Sequence, residues 1–101
     1  MHQRPPAIDD LRSAIQSACQ PQNVHRIVAG RQAVMAMPRE WVLQSIEQTV
    51  AGCLDLSDDW QYRRLLELAG QLDDDLVRRF VAIGSRSDDE NVLEAARDFQ
   101  K

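Results

Sequence analysis

Residues 57–99 read SDDWQYRRLLELAGQLDDDLVRRFVAIGSRSDDENVLEAARDF, and three acidic clusters punctuate them: Asp58-Asp59, Asp73-Asp74-Asp75 and Asp88-Asp89-Glu90. The clusters recur about every 15 residues, and each opens a segment with apolar residues at helical spacing. Carboxylates in a first turn meet unpaired N–H groups and the positive end of the helix dipole, so each cluster reads as a helix start. Ser87, with Glu90 three residues on, has the pattern of a capping box and is expected to be the N-cap of the last helix. Ser57 suits the same role earlier, although Trp60 stands where the box needs Glu or Gln. The stretch therefore predicts three short helices joined by tight turns.

Working back toward the N-terminus, the same period continues. Residues 1–7 form a polar, Pro-rich lead expected to fray, ahead of a single helical domain over 8–101. Ile8, Leu11, Ile15 and Ala18 place a first helix over about 8–19, stopped by Pro21. A second helix, with Asn23 as N-cap, is expected to present Val24, Ile27, Val28, Val34 and Met35. Gly30 either weakens its middle by about 1 kcal/mol or admits a neighbour at close range. Pro38 fits the first position of a third helix, where its missing N–H costs nothing, and Val42, Ile46, Val50 and Cys53 follow on one stripe. The fourth helix, about 58–72, carries Leu65, Leu68, Ala69 and Leu72, with Tyr62 and Leu66 beside them. The fifth, about 74–85, has a wide apolar arc of Leu76, Val77, Phe80, Val81 and Ile83, and Gly84 suits a C-terminal cap. The sixth, about 88–100, shows Val92, Ala95, Ala96 and Phe99.

Aromatics make up only 5% of the chain and β-branched residues are sparse, which leaves little material for a sheet. The expected fold is all-α: about six short antiparallel helices forming a compact helical bundle or a small α-solenoid. Asp75-Leu76-Val77-Arg78, and the Asp-rich turn at 88–89 before the Ala-rich helix of 90–96, resemble HEAT-type repeats over residues 57–99. That resemblance implies stacked helical hairpins and a scaffold or binding role.

Little in the sequence points to chemistry. His2, His25, Cys19 and Cys53 are the candidate metal ligands, and none form a short-spaced pair of the kind zinc sites use, so no metal or other cofactor is expected. Cys19 and Cys53 are read instead as free thiols that fill apolar space. Neither a Gly-rich phosphate loop nor a GxSxG or HExxH motif occurs, so no enzyme is expected. The opening MHQRPPAIDD lacks the apolar segment of a secretory signal, and the longest wholly apolar run, Ala33-Val34-Met35-Ala36-Met37, is too short to cross a bilayer. A cytoplasmic protein without membrane contact is the expectation.

Charge and tryptophans carry the remaining signal. The net charge is −4, and residues 51–101 hold six Arg and one Lys against twelve Asp/Glu, which disfavours a nucleic-acid footprint. Asp59–Arg63, Asp74–Arg78 and Asp75–Arg79 have the i,i+4 spacing of surface ion pairs. At about 100° per residue, Trp41 falls roughly 140° from Ile46, and Trp60 the same angle from Leu65, so both rings leave the core-building faces. Trp60 has Arg63 and Arg64 one turn away, and tryptophan with arginine is the composition of binding hot spots. Trp60, Arg63, Arg64 and Trp41 are therefore the candidate protein-binding residues of a non-catalytic helical interaction module. An alternative is an immunity-type inhibitor that neutralises a basic toxin or nuclease through the acidic half. A helix-turn-helix regulator, built on the last two helices, would set Asp88, Asp89, Glu90, Glu94 and Asp98 against phosphates.

Overall fold

The computed structural model describes residues 7–100, which form six helices and, among those residues, no strand: α1 (Ile8–Ala18), α2 (Val24–Ala36), α3 (Arg39–Cys53), α4 (Asp59–Leu72), α5 (Asp74–Gly84) and α6 (Glu90–Asp98). The expected lead lies outside the described residues, apart from Ala7.

The acidic clusters do start helices, and one Asp of each is the N-cap. Asp58 Oδ1 accepts from Trp60 N and Gln61 N, Asp73 Oδ2 from Leu76 N, and Asp89 Oδ1 from Asn91 N and Val92 N. Ser87 is therefore not the cap of α6. Its hydroxyl accepts from Asp89 N at 3.1 Å and shapes the turn before the helix. Nor does Ser57 cap α4, since its backbone N–H and hydroxyl both turn back to Asp55 Oδ1. In both places a carboxylate within two residues displaces the weaker serine acceptor, because an ionised acceptor makes the stronger bond to N–H. Asp89→Ala is expected to lower stability by about 1 kcal/mol, and Ser87→Ala by less than half of that. Urea midpoints of the two variants check the order. Asn23 caps α2 as expected, accepting from Arg26 N, while Pro38 sits one position earlier than predicted, as the N-cap of α3.

All six helices contribute to one core. Leu11, Ile15, Val42, Ile46, Tyr62, Leu65, Leu66, Leu68, Leu76 and Val92 are fully buried in it. The radius of gyration, 13.3 Å, is that of a compact chain of this length. Within the bundle, α1 packs chiefly on α2 and α3, α4 on α5 and α6, and α1 crosses to α4. Arginines stitch the first three helices to the last three. Arg39 donates to Leu72 O at 2.7 Å, tying off the C-terminal carbonyl end of α4, and pairs with Asp73 at 3.2 Å. Arg79 pairs with Glu47, Arg64 donates to Pro21 O, and Arg31 pairs with Glu67.

Two glycines are set by close approach. A Cβ on Gly30 would lie 2.4 Å from Ala18 N and 2.6 Å from Ala14 O, so α1 and α2 meet backbone to backbone there. Gly84 is not a left-handed cap: among the described residues no glycine has positive φ. A Cβ there would fall 2.0 Å from the Tyr62 hydroxyl, which threads past Gly84 and donates to Phe80 O at 2.7 Å. Burial pushes that hydroxyl up to about 12, so Tyr62 is a neutral core donor across the physiological range.

Several apolar positions expected inside lie outside. Ile8, Val24, Val28, Met35 and Ile83 are exposed. The reason on α2 is the glycine contact: Ile27, Gly30 and Val34 form the narrow face against α1, and the rest of the helix has no layer above it. Of the expected surface ion pairs, Arg79 does meet Asp75. Arg78 approaches Asp75 rather than Asp74, and Arg63 reaches across to Asp98 on α6 instead of Asp59.

Candidate functional site

The off-stripe angle places Trp60 correctly at the surface: it is 53% exposed, at the start of α4. Trp41 has the same angle on α3 but is half-buried and packed against the core. The two arginines beside Trp60 part company. Arg63 turns toward α6 and pairs with Asp98 at 3.0 Å. Arg64 turns toward α2, donating to Pro21 O at 3.2 Å and to both oxygens of Glu67 at 3.1 and 3.2 Å.

Glu67 also accepts from Arg31 of α2 at 2.7 Å. One carboxylate thus stands between two guanidiniums, and the three side chains are 20–30% exposed. The Nε–H groups of Arg31 and Arg64 are buried and find no acceptor. The bridge is consequently rich in donors and carries excess positive charge.

Arg31 of this bridge also lines a shallow groove of about 510 Å³, together with Val28, Gln32, Met35 and Ala36 of α2 and Gln71 of α4. On α2, Val24, Val28, Arg31 and Met35 follow the spacing i, i+4, i+7, i+11. On α4, Trp60, Arg64, Glu67 and Gln71 repeat it. Residues at that spacing share one helix face, and the two rows meet at the Arg31–Glu67 pair and at Gln71, which joins the α2 residues in the groove. The α2 row belongs to the site although the sequence reading assigned its apolar members to the core. The readable signal was that α2 has two apolar faces 24/28/35 and 27/30/34, of which a single neighbouring helix can cover only one.

A second cleft, about 220 Å³, is lined by Cys19, Cys53, Gln16, Gln20, Pro21, Leu54 and Gln61. Both cysteines are free. Burial, with Cys53 nearby, pushes the Cys19 thiol up to about 12, and burial raises that of Cys53 as well. Protonated thiols are poor nucleophiles and poor metal ligands. Among the described residues, no three His, Cys, Asp or Glu side chains gather as a metal site would require, and His2 lies outside those residues. No helix among them is long and apolar enough to cross a membrane. No protein-family model, curated protein or solved structure matches the chain.

Proposed function

We propose that the protein is a non-catalytic helical module that binds another protein through the α2–α4 face. The observation that carries this reading is Trp60: a large aromatic, 53% exposed, one turn before Arg64 on α4, whose partner Glu67 also holds Arg31 of the α2 row. Exposed tryptophan is uncommon without a use, and aromatic–arginine clusters dominate the energetics of protein interfaces. The same face lacks the convergent acid–base or nucleophilic groups that catalysis needs. Arg63 serves as a supporting residue, orienting α4 against α6, and Trp41 contributes packing beneath the surface. The inhibitor alternative would draw on the acidic half, where Asp58, Asp73 and Asp89 cap helices and Glu67, Asp75 and Asp98 meet arginines, which leaves fewer carboxylates for a basic partner.

Trp60→Ala is expected to leave the unfolding midpoint nearly unchanged while weakening partner capture by about 2 kcal/mol or more. Trp41→Ala, which removes a ring packed on the core, should do the reverse and lower stability with little direct effect on capture. Thermal unfolding and pull-down on both variants decide the matter. Strong destabilisation by Trp60→Ala without loss of capture would end this reading.

A further inference from the structure

We propose that Cys19 and Cys53 form a reversible redox pair. A small disulfide such as oxidised glutathione drives the two thiols into a bridge between the C-terminal ends of α1 and α3. The pair works independently of the α2–α4 face.

Placement is the first argument. The chain has two cysteines, and although they belong to different helices the fold brings both to one cleft of about 220 Å³. Helices α1 and α3 pack directly on each other. After burial, Cys53 is the group that acts most on the Cys19 thiol, ahead of Arg31, Glu67 and Arg64, so the two sulfurs lie close together. Each thiol also sits where its helix stops. Cys19 is the C-cap of α1, and Cys53 is the last residue of α3, followed by extended backbone at Leu54. Disulfide geometry is demanding, and a helix end can re-aim a Cβ without unwinding the turns behind it.

Unequal cover is the second argument. Cys19 is 1% exposed, whereas Cys53 is half-buried. Gln16, Gln20 and Gln61 line the cleft and no carboxylate does. Burial raises the Cys53 thiol, and Arg12 offsets part of that by favouring its thiolate. An anionic disulfide entering the cleft therefore meets Cys53 first, with Cys19 behind it as the resolving thiol.

The exchange runs in two displacements. Cys53 Sγ, as thiolate, attacks one sulfur of oxidised glutathione. The S–S bond of the oxidant breaks, and one glutathione thiolate leaves and takes up the proton that Cys53 released. Cys19 Sγ then attacks Cys53 Sγ, and the second glutathione leaves with the Cys19 proton. Two protein thiols are oxidised to one disulfide, and one glutathione disulfide is reduced to two thiols. Because burial holds both protein thiols protonated at neutral pH, exchange is slow, and the pair answers sustained oxidation rather than a brief exposure.

The test incubates the full chain overnight with excess oxidised glutathione and follows the intact mass. The expected product is a single chain two hydrogens lighter, with no thiol titratable in denaturant and both thiols restored by dithiothreitol. The bridge closes a loop that contains all of α2, so it should raise the thermal midpoint by at least about 5 °C over the reduced chain. Cys19→Ala should stop at the chain carrying one glutathione on Cys53. Cys53→Ser should take up glutathione at least about tenfold more slowly than Cys19→Ala does. Two thiols persisting in the wild type, a mixed disulfide that never resolves, a bridge between two chains, or a midpoint that does not rise each overturns the proposal. So does faster uptake at Cys19 than at Cys53. The wild-type masses alone decide between bridge and no bridge, so the result holds even if Cys19→Ala fails to fold.

Discussion

Gly30→Ala is expected to lower stability by about 2–3 kcal/mol, although alanine is the better helix former. The added methyl would lie 2.4 Å from Ala18 N and 2.6 Å from Ala14 O. Both are backbone atoms of a regular helix, so neither can rotate away as a flexible side chain would. The two helices must separate, and Ala14, Ala18 and Val34, all buried at this contact, lose packing together. Gly70→Ala in α4 provides the control, because a Cβ there meets nothing within 4 Å. Relief from glycine's conformational entropy should stabilise that variant by roughly 0.4–1 kcal/mol. Opposite signs from the same substitution in two helices, read as denaturation midpoints, would establish that α1 and α2 pack backbone to backbone. A neutral Gly30→Ala would mean that they do not.

Glu67→Ala should lower stability by about 2 kcal/mol, more than an ordinary surface ion pair is worth. The reason is what remains behind. Arg31 and Arg64 are left facing each other, three-quarters covered, with their Nε–H groups still unpaired. Removing one partner of a desolvated set leaves charge uncompensated, which is the expensive half of such an interaction. Glu67→Gln keeps one acceptor oxygen and should lie between the wild type and Glu67→Ala. The distinguishing readout is an anion effect: sulfate should raise the midpoint of Glu67→Ala well beyond its effect on the wild type, by occupying the place of the carboxylate. A midpoint within about 0.5 kcal/mol of the wild type and indifferent to sulfate would show that the bridge does not form.

Much of the fold was legible because the information was local. Helical period placed all six helices, with acidic first turns marking four of the starts and Asn23 and Pro38 the other two, and the Trp60 angle put that ring in solvent because an angle on one helix depends on that helix alone. Trp41 shows the limit. Its angle was the same, yet the residue is partly buried and packed against the core, since angle gives direction and not what stands in that direction. The Arg31–Glu67 bridge joins residues 36 apart, and no period or spacing connects them. Ser87 was misassigned because serine and aspartate both cap, and choosing between neighbours depends on where the turn before the helix bends. The outward row of α2 was missed for a related reason. Apolar residues on a helix announce a wish for cover, and the sequence alone does not say that one face receives it from α1 and the other faces outward.

The arginine stitching between α1–α3 and α4–α6 has a consequence for how the molecule opens. Each trio is held largely by helices next to one another in the chain, whereas the crossing between them relies on α1 against α4 and on the links from Arg31, Arg39, Arg64 and Arg79. Ionic links weaken in salt while apolar contact does not, so the crossing is the part whose strength the medium can tune. Amide protons of α1 that depend on α4 for shelter should therefore exchange faster at high ionic strength, ahead of those in the interior of α5. The two trios then behave as cooperative opening units that share a core but answer differently to the solvent.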